Sequence, residues 1–218
     1  MKVVTYLFVL MSFWSCKKTE ERSSVLKNEN ISNTIATINK GENNDNYYNL
    51  FFKEAREYTE KKNYNQDVFF LIDLGKHSGL KRFFVYDFKK SKIVKSYIVS
   101  HGCGDSAWGG TATKENPKIS NEPDSHCSSL GKYLISTRGV SQWGIKVNYL
   151  LLGKDKTNSN ALNRAIVLHS WNAIPNEEVF PEGTPEGWGC PAVSNESMRE
   201  IDELLKTNKK VLLWIIRS

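Results

Sequence analysis

No apolar run in this chain is long enough to cross a membrane as a helix. The longest candidate, from Val3 to Met11, falls well short of the roughly 20 residues a bilayer demands. Glycine-rich phosphate loops and dinucleotide fingerprints are also missing, as are internal repeats, which removes nucleotide-driven chemistry and solenoid folds from consideration. There is no basic helix and no aromatic RNA-binding motif. The net charge of +6 is spread over distant pairs such as Lys81-Arg82, Lys89-Lys90 and Lys209-Lys210. Such a scattered excess favours acidic partners in general but does not make a nucleic-acid surface. Cysteine is scarce, at four residues, and His101, Cys103, His126 and Cys127 do not follow the usual zinc-ligand spacings.

What remains is the composition of an ordinary globular protein, 39% hydrophobic and 25% charged, with room in 218 residues for one domain and an appendage. The N-terminus reads as a targeting segment. Met1-Lys2 precedes the short apolar core, which ends at Ser12-Phe13-Trp14-Ser15-Cys16 before the polar Lys17-Lys18-Thr19-Glu20-Glu21. This resembles a bacterial lipoprotein signal peptide, with residues 1–15 removed and Cys16 lipidated; a plain secretory peptide is the alternative. Two or more acyl chains would anchor the protein stably to a membrane. Residues 16–45, rich in Asn, Ser, Thr, Lys and Glu, read as a flexible tether that buries too little to offset its ordering entropy. The expected location is the cell envelope, facing the periplasm or on the outer membrane. Export implies an oxidising compartment. With Cys16 set aside, three cysteines remain: Cys103 with Cys127 is the expected disulfide, leaving Cys190 free.

Residues 46–218 read as the folded domain. Tyr47, Leu50, Phe51, Ala55 and Tyr58 recur at helical spacing, predicting an amphipathic helix to Lys62. From there the period becomes that of strands. Val68–Asp73, Lys81–Asp87 and Lys92–Val99 predict a three-stranded antiparallel meander. Residues 101–131 read as a long ordered loop, the kind that usually carries function. Strands are expected again at Lys132–Thr137, Trp143–Leu152, up to His169, and at Val211–Ile216. A helix is expected from Ser194, with Met198, Ile201, Leu204 and Leu205 as its apolar stripe. The fold class is mainly β with short helices (α+β).

Two stretches carry the chemistry. Ala165-Ile166-Val167-Leu168-His169-Ser170 is an apolar strand that ends on an imidazole, and Trp188-Gly189-Cys190-Pro191 is a tight turn that presents a thiol. Thiol acyl transfer needs a nucleophile, a base and oxyanion donors. Cys190 and His169 are candidates for the first two, the Ser170 carbonyl for orienting the imidazole, and the backbone N–H groups of Gly189 and Cys190 for the third. The helix beginning after Cys190 is expected to lower the thiol pKa.

The order of short motifs resembles the L,D-transpeptidase (YkuD-type) family, in its murein L,D-transpeptidase catalytic domain-like branch. The motifs are Ser100-His101-Gly102, Ser120-Asn121, Ser128-Ser129-Leu130-Gly131, Arg164–His169 and Trp188–Ala192, spanning Val68 to Ile216. The resemblance implies a mixed β-sandwich catalytic domain acting on peptidoglycan stem peptides. Cys190 would form a thioester, resolved by an amine to a cross-link or by water as an L,D-carboxypeptidase, with no metal or organic cofactor. It makes His101, Gly102, Ser120, Asn121, Ser128, Ser129 and Trp188 candidates for the substrate loop. Trp188 stands where most of the family carries a second histidine, and Gly187 replaces the Ser or Thr before it. A sortase-like reading fails because Arg217 comes too late to serve as the required arginine. A non-catalytic wall-binding lipoprotein is the remaining alternative, and oligomeric state is not encoded in any motif.

Overall fold

The computed structural model describes residues 47–218, of which 52–218 form one compact unit. The segments expected to be a signal peptide, a lipidated Cys16 and a tether lie outside the described residues. Helix α1 covers residues 47–62. Strands β1 (Val68–Asp73), β2 (Phe83–Asp87) and β3 (Lys92–Tyr97) follow, then β4 (Gly131–Val140), β5 (Val147–Gly153), β6 (Val167–Ser170) and β7 (Ala192–Val193). Helix α2 (Asn195–Thr207) and strand β8 (Leu212–Ile216) complete the chain.

All eight strands form one mixed sheet in the order β3-β2-β1-β8-β4-β5-β6-β7. The meander is antiparallel as expected, and β8 returns to lie parallel to β1 and antiparallel to β4. The sheet curls into a near-barrel, so one core is shared by Phe70, Ile72, Phe83 and Val85 from its first half and Tyr133, Tyr149, Leu151 and Leu168 from its second. Alternation explains the facing of β4 and β5, whose inward residues are buried every second position while their neighbours are partly exposed. Strand β1 is buried on both faces. Phe70 and Ile72 enter the core, while Phe69 on the opposite side meets Phe52 of α1, which stacks on Tyr86 at 4.0 Å. Each fully buried phenylalanine contributes roughly 1.5–3 kcal/mol.

Helix α2 starts where the sequence marks it. The Ser194 side chain accepts from the Ser197 N–H at 3.0 Å, and Met198, Ile201 and Leu205 pack into the core. Its outer turns hold Asp202, which accepts from Arg138 at 2.7 and 3.0 Å and from the Tyr149 hydroxyl at 2.7 Å, tying α2 to β4 and β5. Strand β4 runs on to Val140 beyond the expected Thr137, β7 is an unexpected strand, and β5 departs further. The segment beginning at Trp143 is a turn, and β5 starts only at Val147. Gly144 there has φ +53°, and a side chain on it would collide with Ser170, so the β4–β5 connection is held against the end of β6.

Candidate active site

Parallel pairing of β6 with β7 sets the site. His169 is in register with Ala192 and Ser170 with Val193, and the His169 N–H donates to the Pro191 carbonyl at 3.3 Å. Cys190 therefore emerges from the turn beside His169, and both line a cavity of about 310 Å³. The imidazole Nδ1 lies 3.0 Å from the Ser170 carbonyl. A carbonyl can only accept, so Nδ1 carries the proton and Nε2 is the basic nitrogen. Burial lowers the His169 pKa against the opposing pull of that carbonyl, leaving the ring neutral at pH 7.

The thiol is held differently. Cys190 Sγ accepts from the Val167 N–H at 3.4 Å and donates toward the Ala165 carbonyl at 3.9 Å, and makes no hydrogen bond to His169. Burial pushes its pKa up, more than the Val167 N–H and the Arg164 charge pull it down. The expected depression by the following helix is thus not found. Strand β7 intervenes before α2, and the dipole of a helix falls off within its first turn. The resting pair is a neutral thiol beside a neutral imidazole.

The turn itself needs glycine. Gly189 has φ +96°, and a Cβ there would strike the Cys127 carbonyl and crowd Arg164. No hydrogen bond within the described residues uses the N–H of Gly189 or of Cys190. Both donors remain free on the turn that carries the sulfur.

Behind the turn lies a dense polar brace. His101, fully buried, receives a hydrogen bond at Nδ1 from Arg82 at 2.7 Å and places Nε2 2.9 Å from the Thr113 hydroxyl. Its Nε2 is also 3.7 Å from Glu186 Oε1, which accepts from the Thr113 N–H at 2.6 Å. Arg82 further donates to the carbonyls of Val99 and Lys76. Backbone pairing finishes the lock: Gly187 N–H to the His101 carbonyl and Cys103 N–H to the Gly187 carbonyl, each 2.8 Å. Ser128 Oγ receives the Gly102 N–H at 3.1 Å and donates to the Gly189 carbonyl at 3.2 Å.

In front of the turn the surface is aromatic. Trp108, Trp143, Trp171 and Trp188 share the cavity wall with His169 and Cys190. Trp108 stacks on Trp171 at 4.9 Å, and Trp188 stacks on His126 at 5.3 Å.

A family model for the L,D-transpeptidase catalytic domain matches residues 39–214. The chain belongs to that family. No match emerges among curated proteins. Among solved structures, the L,D-transpeptidase from Xylanimonas cellulosilytica (residues 123–326) is similar at 12% identity and TM-score 0.40, over 68% of this chain and 59% of that one. Bd1075 from Bdellovibrio bacteriovorus aligns at 14% identity and TM-score 0.42, over 71% of this chain and 49% of the other. Pgp2, a helical cell shape determining protein from Campylobacter jejuni, aligns at 14% identity and TM-score 0.38, over 71% and 50%. The chain thus spans about half to three fifths of the length of these solved chains.

Within this L,D-transpeptidase-family domain, the residues named from sequence fall into three places. Cys190, His169 and Trp188 line the cavity, Gly189 sits between Trp188 and Cys190 in the turn, and the Ser170 carbonyl backs the imidazole. His101, Gly102 and Ser128 brace the turn from its rear. Ser120, Asn121 and Ser129 sit farther back: Asn121 ties the long loop to Ser159 and Asn160, and Ser129 bonds Tyr133. Cys103 and Cys127 are both buried free thiols, so the expected pairing is not formed in this structure. Among the described residues no group of three or more His, Cys, Asp or Glu is arranged to hold a metal ion.

Sequence reasoning passed over Trp108, Trp143 and Trp171 as site residues, along with Arg82 and Glu186. A signal for the tryptophans exists. Trp108, Trp143 and Trp188 each directly precede a glycine, and a bulky aromatic in a turn has no core to enter. Arg82 and Glu186 gave no such sign, because their partnership is visible only once the sheet is formed.

Proposed function

We propose that this domain is a cysteine-dependent acyl transferase acting on peptidoglycan stem peptides, with Cys190 as nucleophile and His169 as general base. The observation that carries the reading is the shared cavity of Cys190 and His169, with the imidazole tautomer set by the Ser170 carbonyl so that Nε2 is free to take a proton.

The thiol first turns away from the Ala165 carbonyl toward His169. Nε2 takes the Sγ proton as sulfur adds to the carbonyl carbon of the third stem residue, a diamino acid. The oxyanion is received by the N–H groups of Gly189 and Cys190. The carbon–nitrogen bond then breaks, the imidazolium returns its proton to the departing D-amino acid, and a thioester remains. An amine acceptor gives a cross-link; water gives a tripeptide. The reading places the protein in the cell envelope, tethered through lipid on Cys16, with no cofactor in the reaction.

Incubation with a defined disaccharide-tetrapeptide, read by mass, tests this. Cross-linked dimer is the expected product, tripeptide alone would make the enzyme an L,D-carboxypeptidase, and no product would leave a wall-binding protein. Cys190→Ala is expected to lower turnover on the order of 10³-fold or more; turnover near wild type would refute the nucleophile. Since burial raises the thiol pKa, alkylation of Cys190 is expected to keep accelerating above pH 9.

A further inference from the structure

We propose that the four tryptophans around Cys190 form a cation-binding cage for the ammonium group of the acceptor, and so favour transfer to an amine over hydrolysis. The inference rests on the thioester reading above and adds to it the recognition of the second substrate.

Four of the chain's six tryptophans converge here from four separate segments. Trp108 comes from the long loop after β3, Trp143 from the β4–β5 turn, Trp171 from just past β6, and Trp188 from the turn of Cys190. Trp108, Trp143 and Trp188 are each about half exposed or more, at 47%, 47% and 62%. Ring faces this open are costly to leave in water and mark a ligand site. Trp108 is central, 4.9 Å from Trp171, 6.1 Å from Trp143 and 6.5 Å from Trp188.

The lining decides the ligand class. Besides the indoles it holds His169, Gly187, Cys190 and Ala192, with no lysine, arginine, aspartate or glutamate. A carboxylate would therefore lose its water without gaining a cation. Arg164, which lies behind the turn, is bound to the carbonyls of Cys127 and Ser120. Indole faces carry negative potential and attract ammonium groups within about 6 Å of the ring, most strongly when the site is desolvated. Proximity narrows the choice further. A cavity walled by Cys190 itself holds whatever attacks the thioester, and a diamino acid's side-chain amine arrives protonated at neutral pH.

The chemistry balances. The ammonium has three protons. One passes to His169 Nε2, the amine attacks the thioester carbon, the new C–N bond forms and the C–S bond breaks. The imidazolium returns that proton to sulfur, a second proton of the amine leaves to solvent, and the third stays on the amide nitrogen. Indole walls offer few hydrogen bonds to orient water for the same attack.

The test separates this inference from the parent reading. Tryptophan fluorescence of the Cys190→Ala protein is titrated with tetramethylammonium chloride and with tert-butyl alcohol, a neutral probe of similar shape, at fixed ionic strength. The expected result is saturable quenching by the cation alone, weakened tenfold or more in Trp143→Leu and largely retained in Trp143→Phe. Equal responses to both probes, or none, would overturn the cage whether or not the protein is an enzyme. In the active protein, the ratio of dimer to tripeptide is expected to fall several-fold in Trp143→Leu, a ratio that normalises for any loss in acylation. An unchanged ratio refutes the role in acceptor choice. Absence of any acyl-enzyme in the unmutated protein refutes the parent reading instead, and leaves the cation titration to decide the cage.

Discussion

The two sides of the Cys190 turn are built by opposite means. Its rear is buried and polar: Arg82, His101, Thr113 and Glu186 bond to one another, and Ser128 holds the Gly189 carbonyl. Its front is open and apolar, with indole rings that touch mostly each other. Directional bonds in a low-dielectric interior fix a backbone to a fraction of an ångström, which is what the proposed nucleophile and oxyanion donors would require. Ring contacts fix little and tolerate adjustment, which suits a surface that must admit and release substrate. The difference predicts that damage to the rear costs the fold, whereas damage to the front costs function.

The strongest test of the rear is Arg82. Its guanidinium is fully buried and bonds the carbonyls of Val99 and Lys76 as well as His101. Burial pulls it down to about 9 while the charges of Asp73 and Glu186 hold it up, so it remains a cation at neutral pH. Arg82→Met would leave those acceptors unpaired and a buried carboxylate without its countercharge. The expected loss is about 3–5 kcal/mol in denaturant melts. A loss below about 1 kcal/mol would show that the brace is dispensable.

Per pH unit, a smaller effect is expected from titration. Burial and then the Arg82 charge pull His101 down to about 3, against about 6.5 for an unfolded histidine. Between those values the unfolded chain binds a proton that the native state refuses. Stability therefore falls as pH drops through that window, by up to about 1.4 kcal/mol per pH unit from this residue. His101→Gln, whose side chain cannot titrate, should flatten that part of the pH–stability curve even if it lowers the plateau. An unchanged slope would mean that His101 is protonated in the native state.

The same contrast explains what was legible in the sequence. β1, β2 and β8 are runs of aromatic and β-branched residues bounded by turn signals, and α2 announces itself at Ser194, so the architecture could be read locally. Cys190 and His169 stood out because a thiol in a glycine turn and an imidazole at a strand end are chemically conspicuous. The brace was not readable. Its members lie 19 and 85 positions apart, from Arg82 to His101 and on to Glu186, and a lone arginine or glutamate ordinarily reads as a solvated surface charge. Trp143 reads as part of a strand because aromatic residues favour strands, whereas the close packing of Gly144 on Ser170 makes the segment a turn. The thiol pKa went the other way from expectation because two residues of β7 separate the turn from the helix, while the burial that outweighs the dipole is a property of the assembled sheet.

The smallest effect on the fold is expected at the front. Trp108 is about half exposed, and its main ring contact is the stack on Trp171. A half-exposed aromatic has little burial to lose, and an aromatic pair contributes about 0.5–1.5 kcal/mol beyond that. Trp108→Leu should therefore shift the unfolding midpoint by the equivalent of about 1 kcal/mol, several-fold less than Arg82→Met in the same melt. The backbone of its loop is held independently, through Gly109 N–H to the Glu186 carbonyl and Glu186 N–H to the Gly110 carbonyl, each 2.9 Å. Should Trp108→Leu cost as much as Arg82→Met, the indoles would be structural partners of the brace. The division between a fixed rear and an adaptable front would then fail.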